Sequence, residues 1–275
     1  MKKFFTLLCM VAWMVGYTSC QDDALEQGSS SENVQLEVKN EKVKKLIQQA
    51  RNCDAEAYKA LALCYQDGEG VGRSWLNMLC MYFIYAKGTG QDLFSVVCEL
   101  EEDNPCRLIP VLLNSSSSEE LKDKIDQFED ALLMEVKAFR VIENVLSNEM
   151  DSTALTLLEE AEREGSELGA LMQAFYYEVA KDEAGLEQCL NRLAGRFPFL
   201  NSLIGERFAS KYLESGVAAD IQKAVEYYYK ADEWGMLTPW YAAELLEICE
   251  CYGDKGLFDC SETEMERLRK IANLK

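Results

Sequence analysis

Residues 53–88 read CDAEAYKALALCYQDGEGVGRSWLNMLCMYFIYAKG, and the rest of the chain can be interpreted from this segment. Small and aromatic residues recur at spacings of three and four on both sides of a glycine-containing break, which is typical of a helix, a loop and a second helix. One such unit cannot bury its apolar face alone, so further units are expected to stack on it. The sequence therefore predicts an all-α protein, an α-solenoid of helix-loop-helix repeats.

The two helices of this unit have recognisable ends. The first is predicted from about Asp54 to Gln66, because Gly68 can adopt the left-handed conformation that ends a helix. The second is predicted to begin after Ser74, whose hydroxyl can cap the first turn. The side chains expected to face the core are Ala57, Leu61, Ala62, Tyr65, Met78, Met81, Tyr82 and Tyr85.

This segment resembles the Sel1-like repeat, a relative of the tetratricopeptide (TPR) repeat whose loop is slightly longer and contains glycine. The resemblance is carried by Asp54, Ala55, Glu56, Ala57, Leu61, Ala62, Tyr65, Gly68, Glu69, Gly70, Val71, Met81, Tyr82, Tyr85 and Ala86. Ser74 and Met78 depart from the family pattern, which favours Asp and Ala there. The resemblance implies stacked helix pairs that serve as an interaction module.

Two further copies are predicted downstream. The clear one, over residues 200–235, follows the first at an offset of 147 residues before the loop and 146 residues after it. In this copy Asp220 is expected to cap the second helix. A weaker copy over residues 165–198 lies 112 residues after the first, and Asp182 is expected to cap its second helix. The alignment pairs Ala62 with Ala209 as tight helix contacts and Gly70 with Gly216 as loop positions.

The remaining segments are predicted to complete one helical repeat domain over residues 38–275. A helix over residues 34–50 is expected to pack on the first repeat and to cap the amino-terminal end of the array. Divergent helices are predicted over residues 89–164, with a boundary or hinge at the serine run 115–118. Residues 236–275, which end in a charged amphipathic helix, are expected to form the carboxyl-terminal cap.

The first 37 residues are predicted to lie outside this domain. Residues 1–19 combine a basic start, a short apolar run and small residues before Cys20, which resembles the signal peptide and lipobox of bacterial lipoproteins of the Bacteroides type. The resemblance implies lipidation of Cys20, an acidic, serine-rich tether over residues 20–37, and a location in the outer membrane of the cell envelope, on its periplasmic or its surface side. The alternative is a soluble secreted protein cleaved near this point.

Composition narrows the classes of function. The chain has 48 acidic and 28 basic residues and a formal net charge of −20, so repulsion from phosphates disfavours nucleic acid as a partner. It contains no histidine, which removes Ser-His and Cys-His nucleophile pairs and histidine-based metal sites. The glycine-rich run 68–72 follows a predicted helix, not a strand, so it does not indicate a nucleotide site. We therefore expect no enzymatic activity, no cofactor and no metal.

The cysteines are interpreted mainly as packing residues. After the predicted signal peptide and anchor, nine of the eleven remain, an odd number that cannot close a full disulfide framework. Three occupy small-residue positions of the first repeat and are expected to be buried thiols: Cys53, Cys64 and Cys80. The cluster of Cys249, Cys251 and Cys260 lacks a fourth ligand and the spacing of a zinc ribbon.

We predict that the protein binds a protein or peptide partner and acts as an adaptor scaffold. In a curved stack the first helices of the repeats line the concave side, so their outward positions are the expected contact residues. The repeat register selects Lys59 and Leu63 in the first copy and, 112 residues later, Leu171 and Phe175. A solute- or glycan-binding lipoprotein, with a small molecule or a glycan as ligand, is the alternative, and an envelope hydrolase is the third interpretation.

Overall fold

The computed structural model describes residues 40–100, 152–253, 257–258 and 260–274. These residues form eleven helices and no strand, so the all-α prediction is confirmed for this part of the chain. The helices are α1 (Glu41–Arg51), α2 (Ala55–Asp67), α3 (Trp75–Thr89), α4 (Leu93–Cys98), α5 (Ser152–Arg163), α6 (Glu167–Val179), α7 (Glu183–Ala194), α8 (Leu200–Ser215), α9 (Ala218–Asp232), α10 (Pro239–Tyr252) and α11 (Glu262–Ala272). Cys20, the predicted tether and the predicted hinge at 115–118 lie outside the described residues.

The chain divides into two compact units. Among the described residues, unit 1 comprises residues 97–100 and 152–193, and it contains α5, α6 and nearly all of α7. Unit 2 comprises Gln35–Val96 and Ala194–Lys275, and it contains α1–α3 and α8–α11. Unit 2 is therefore discontinuous in sequence, and it combines the first predicted repeat with the second clear copy.

The first helix pair of unit 2 has the predicted ends. Asp54 precedes α2, and its carboxylate accepts a hydrogen bond from the Glu56 amide at 3.1 Å. The Ser74 hydroxyl caps α3 in the same way, by accepting from the Asn77 amide at 3.2 Å. Gly68 ends α2 at a φ of 72°. Of the eight side chains predicted to face the core, Ala57, Leu61, Ala62, Tyr65, Met78, Met81 and Tyr82 are buried and Tyr85 is half-buried. The predicted register of this pair is thus confirmed.

Helix α1 packs on this first pair, as predicted. Asn40 caps α1 by accepting a hydrogen bond from the Val43 amide at 2.9 Å. A Cβ atom at Gly70, whose φ is 75°, would lie 2.3 Å from Asn40 Nδ2, so glycine is needed for the α2–α3 loop to approach the start of α1. Lys42 and Glu69 form an ion pair of 2.8 Å across the same contact. The loop is therefore held against α1.

Helices α8 and α9 lie in the segment predicted as the second clear copy, and they approach each other closely at Gly205. A Cβ atom there would lie 3.0 Å from the Tyr228 ring and 3.1 Å from the Ala224 carbonyl oxygen. Ala209, the predicted tight contact, is also buried. Tyr82 and Tyr228, which the 146-residue offset aligns, are both fully buried. The alignment of the second helices of the two copies is therefore consistent with their burial.

The turn between α8 and α9 differs from the prediction in two respects. Gly216 ends α8 at a φ of 68° and donates to the Tyr212 carbonyl at 2.7 Å, so it corresponds to Gly68 and not to Gly70. Asp220 is the third residue of α9, and the N-cap is Val217, whose side chain makes no capping hydrogen bond. Both predictions fail for one reason. Residues that align with the end of the α2–α3 loop belong to α9, so the turn between α8 and α9 consists only of Gly216 and Val217.

A buried ion cluster joins three helices of unit 2. Asp232, which is 1% exposed, accepts hydrogen bonds from Arg51 Nη2 at 2.9 Å and from Arg267 Nη2 at 2.8 Å. Arg267 also donates to the Arg51 carbonyl oxygen at 3.1 Å. The end of α1 therefore meets α11 at the end of α9. The first and last helices of the described residues thus lie close together in unit 2, and their predicted roles as the two caps of an array stay a prediction.

In unit 1, a buried amide links helices α5, α6 and α7. Gln173 Nε2 donates to Glu162 at 2.7 Å, and Gln173 Oε1 accepts from Arg192 at 3.0 Å. The Asp182 carboxylate caps α7 by accepting from the Gly185 amide at 3.0 Å, as predicted. The inward side of α7 carries the buried residues Leu186, Leu190 and Leu193. The second helix of the segment predicted as the weaker copy therefore starts where the sequence predicts.

Candidate functional site

Two of the predicted partner-binding residues, Lys59 and Leu63, lie on the solvent side of α2. Leu63 is 43% exposed, and Lys59 Nζ lies 5.6 Å from the centroid of the Tyr85 ring. The cation–π contact holds the Lys59 side chain against α3. The outward orientation of both residues is therefore confirmed, and their role in binding stays a prediction.

The other two predicted residues, Leu171 and Phe175, are buried, with exposures of 2% and 6%. Every residue from Glu167 to Phe175 in α6 is buried, so this part of the helix has no solvent side. The prediction that Leu171 and Phe175 are exposed is wrong. A helix that is covered all round carries apolar residues on every side, and the repeat offset cannot distinguish it from a helix with an apolar contact surface. The four predicted residues do not form one exposed surface.

A different surface lies on α8 and α9. The rings of Phe208 and Tyr227 stack with their centroids 5.7 Å apart and their planes 11° from parallel. Lys211 Nζ and Lys223 Nζ lie 5.1 and 5.0 Å from the Phe208 centroid, and Lys230 Nζ lies 4.2 Å from the Tyr227 centroid. Lys211 and Lys223 are exposed, and the other three residues are half-buried. We call these five residues the aromatic–lysine surface. It places three cations beside stacked rings in a chain of net charge −20.

The last turn of α8 and the connection to α9, together called the α8–α9 turn, expose apolar side chains. Leu213 is 77% exposed and Val217 is 50% exposed. Val217 is also the N-cap residue of α9, where Ser, Asp or Asn would stabilise the helix by about 1 kcal/mol. An exposed apolar side chain thus replaces a group that would favour folding. Because natural proteins depart from local stability rules mainly at functional sites, the turn is a candidate contact surface.

The sequence carries signals for this surface that the repeat register does not use. Lys211 follows Phe208 by three residues, and Tyr227 has lysines four residues before it and three residues after it. These are the spacings that bring side chains together on a helix. The repeat resemblance explains Tyr228, which is buried at the contact with Gly205, but it does not explain its neighbour Tyr227. The lysine–aromatic spacing is therefore the sequence signal for this surface.

A cleft of about 410 Å³ lies near the carboxyl end of unit 2. Its lining consists of Cys249, Glu250, Gly253, Phe258, Cys260, Met265 and Arg269. Arg269 forms ion pairs with Glu250 at 3.0 Å and with Glu262 at 2.9 Å, so these charges are neutralised within the protein. Nowhere in the described part of the chain do three or more Cys, Asp or Glu side chains converge in a way that could hold a metal ion. The two cysteines are therefore the nucleophilic side chains of the cleft.

Comparison with known proteins adds no assignment to these observations. No family model, no curated protein and no solved structure matches the chain. Among the helices of the described ranges, none is both long enough and apolar enough to cross a membrane. The interpretation of function therefore depends on the residues described above.

Proposed function

We propose that the chain is a protein-binding adaptor built from Sel1-like helical repeats, and that unit 2 contacts its partner at the α8–α9 turn. The observation that carries this proposal is the exposure of Leu213 and Val217 at one turn, with Val217 at a helix N-cap. Apolar side chains stabilise an interface when a partner removes them from water, and a few such anchors dominate the binding energy. The burial of the repeat positions in α2, α3 and α9 supports the repeat part of the proposal.

The aromatic–lysine surface on the same helix pair suggests the chemistry of the partner. Lys211 and Lys223 are exposed cations, so they complement a protein segment that carries carboxylates beside an apolar residue. The faces of Phe208 and Tyr227 are already in contact with each other and with ammonium groups, which disfavours stacking of a sugar ring there. A peptide segment is therefore favoured over a glycan.

The decisive variant is Val217→Ser, because its effects on stability and on binding are expected to have opposite signs. The new hydroxyl should cap α9 and raise the free energy of unfolding by about 1 kcal/mol in urea titration. The loss of the apolar contact should lower the yield of crosslinked partner from envelope preparations. A more stable protein that binds less cannot owe the loss to unfolding.

The matched control is Leu157→Ser in unit 1, since Leu157 is 43% exposed and lies away from the turn in sequence. Partner yield should be unchanged in this variant. In addition, Lys223→Glu should slow association in low salt, and the difference from wild type should shrink as salt screens the charge. Undiminished partner recovery by the double variant Leu213→Ser, Val217→Ser would reject the turn as the contact surface.

We propose further that Cys20 carries the lipid that anchors the protein in the outer membrane of the cell envelope. The support is the sequence pattern of residues 1–19 followed by an acidic tether. Each buried methylene of an acyl chain contributes about 0.8 kcal/mol, so several chains would hold the protein firmly. Metabolic labelling with palmitate should tag the wild type and not Cys20→Ala. Equal labelling of the two would contradict the anchor.

A further inference from the structure

Two cysteines that are distant from the proposed binding turn in sequence meet in the carboxyl-terminal cleft. Cys249 lies near the end of α10, and Cys260 directly precedes the N-cap of α11. Burial, together with the neighbouring Cys260 thiol, raises the pKa of Cys249. The Tyr229 hydroxyl of α9 lies 3.9 Å from Cys260 Sγ. Both cysteines line the same cleft. Three elements of unit 2 therefore converge on one pair of sulfur atoms.

We propose that Cys249 and Cys260 form a reversible disulfide that fastens the end of α10 to the start of α11. The oxidant is a disulfide, either a small one such as glutathione disulfide or that of a dithiol–disulfide oxidoreductase. The Cys260 thiolate attacks one sulfur of the oxidant, whose S–S bond breaks and releases one thiol. The Cys249 thiolate then attacks Cys260 Sγ in the mixed disulfide and releases the second thiol. Two electrons and two protons pass from the cysteines to the oxidant.

The order of these two steps follows from the environment of each thiol. Cys249 is buried, whereas Cys260 is half-buried and nearer to solvent. Burial, together with the adjacent Cys260 thiol, raises the pKa of Cys249, and the Tyr229 hydroxyl opposes this by donating to its sulfur. Because the thiolate is the nucleophile, Cys249 is a poor first attacker near neutral pH. Cys260 is therefore the residue that meets the external oxidant.

Cys251 is the other cysteine of α10 that could pair with Cys260, and helix geometry disfavours this pairing. Cys249 and Cys251 are two residues apart on α10, so their side chains point to different sides of the helix. Cys249 is buried against the cleft, whereas Cys251 is exposed. Cys251 is thus a matched control on the same helix with the same chemistry. The predicted export of the chain would bring the Cys249–Cys260 pair to an oxidising compartment, where disulfides persist.

The test compares the full-length wild type with Cys249→Ser, Cys260→Ser and Cys251→Ser after incubation with glutathione disulfide or with dithiothreitol. Trypsin cleavage after Lys230, Lys255 and Arg267 places Cys249 and Cys260 on different peptides. Mass spectrometry of the oxidised, unreduced digest should find these two peptides joined in wild type and in Cys251→Ser, and dithiothreitol should separate them. The joined pair should be missing from Cys249→Ser and from Cys260→Ser.

Thermal unfolding supplies a second measurement. The midpoint of the oxidised protein should exceed that of the reduced protein in wild type and in Cys251→Ser, because the bond restricts the unfolded chain, and the difference should vanish in Cys260→Ser. Cys251→Ser changes an exposed side chain, so it decides the question even if a variant of the buried Cys249 folds poorly. A joined pair that is lost in Cys251→Ser, or absent after oxidation of the wild type, would overturn the proposal.

Discussion

Asp232 carries its charge where water has almost no access, and two guanidinium groups compensate it. An unpaired carboxylate in such a place would cost several kcal/mol. Arg51 comes from α1 and Arg267 from α11, and both donate to the same Oδ2 atom. A carboxylate held in this way is not placed to react with a ligand, so we interpret Asp232 as a structural residue that fixes the meeting point of three helices.

Asp232→Asn should destabilise the protein by about 3 kcal/mol, because Arg51 would lose its counter-charge and Arg267 would keep only its pair with Glu264. The value is at the low end of the range for broken buried pairs, since Arg51 stays 39% exposed and can be hydrated. Urea titration measures it. In the control Glu226→Gln, which removes the exposed Lys230–Glu226 pair of 2.8 Å, the change should be below about 0.5 kcal/mol. Similar values for the two variants would show that Asp232 is not an anchor.

For single residues, the sequence predicts hydrogen-bond partners that are close in sequence and not ion-pair partners that are distant. The hydroxyl of Ser74 and the carboxylate of Asp182 cap helices that begin beside them, so a short window of sequence suffices to assign them. Arg51 and Asp232 are 181 residues apart. No spacing rule connects such residues, and the chain offers 48 acidic side chains as partners. The ion cluster could therefore be found only in the folded structure.

Among the helices, several starts were predictable from the sequence, whereas the presence or absence of a solvent side was not. The starts of α2, α3 and α7 follow from a residue that caps its own helix, which is local chemistry. Whether a helix has a solvent side depends on what packs against it. The register of the repeats is the same for Leu63 and Phe175, yet one is exposed and the other is buried. For this reason only half of the predicted contact residues lie on the surface.

Two helical glycines should respond in opposite ways to alanine. Gly205→Ala should destabilise the protein by about 1 to 3 kcal/mol, because the new methyl group would press on the Tyr228 ring and on the Ala224 carbonyl oxygen. Gly88→Ala in α3 should stabilise it by up to about 1 kcal/mol, since its methyl group would meet Ala55 Cβ at an ordinary 3.6 Å and alanine favours the helix.

Thermal unfolding of the two variants side by side measures this difference. Both replace a helical glycine of unit 2 with the same residue, so the comparison isolates the space available at each site. Stabilisation by both substitutions would mean that α8 and α9 are not packed as closely as their backbones indicate.

For the molecule as a whole, the repeat pattern predicts contacts between segments that follow each other in sequence. It does not predict contacts between segments that are distant in sequence. A linear array would place the first repeat beside the segment that follows it. In unit 2 the first predicted repeat contacts the carboxyl-terminal segment: the Phe83 and Trp240 rings lie 5.1 Å apart, and Asn77 donates to the Arg196 carbonyl at 3.0 Å. These contacts join side chains far apart in sequence, which periodicity within one helix does not encode.

A chain that ends after Gly195 should leave α1–α3 without most of their partners in unit 2. Hydrogen exchange should then become fast in α2 and α3, because Phe83, Asn77 and Arg51 would lose their contacts with the missing segment. The amides of α6 in unit 1 serve as the internal control and should keep more of their protection. Full protection of α2 and α3 in the shortened chain would mean that the first repeat folds without the carboxyl-terminal segment.

Because unit 2 is built from two separate segments of the chain, its first segment is synthesised well before the second. A helix pair such as α2–α3 can form locally within microseconds to milliseconds. The segment that covers it starts at Ala194, about one hundred residues after Val96, and ribosomes add roughly 5 to 20 residues per second. For at least about 5 to 20 s the nascent helices would present Phe83 and its neighbours to solvent. The nascent chain therefore exposes an apolar surface that is buried in the complete protein. A chaperone or an export factor would bind the chain at this surface.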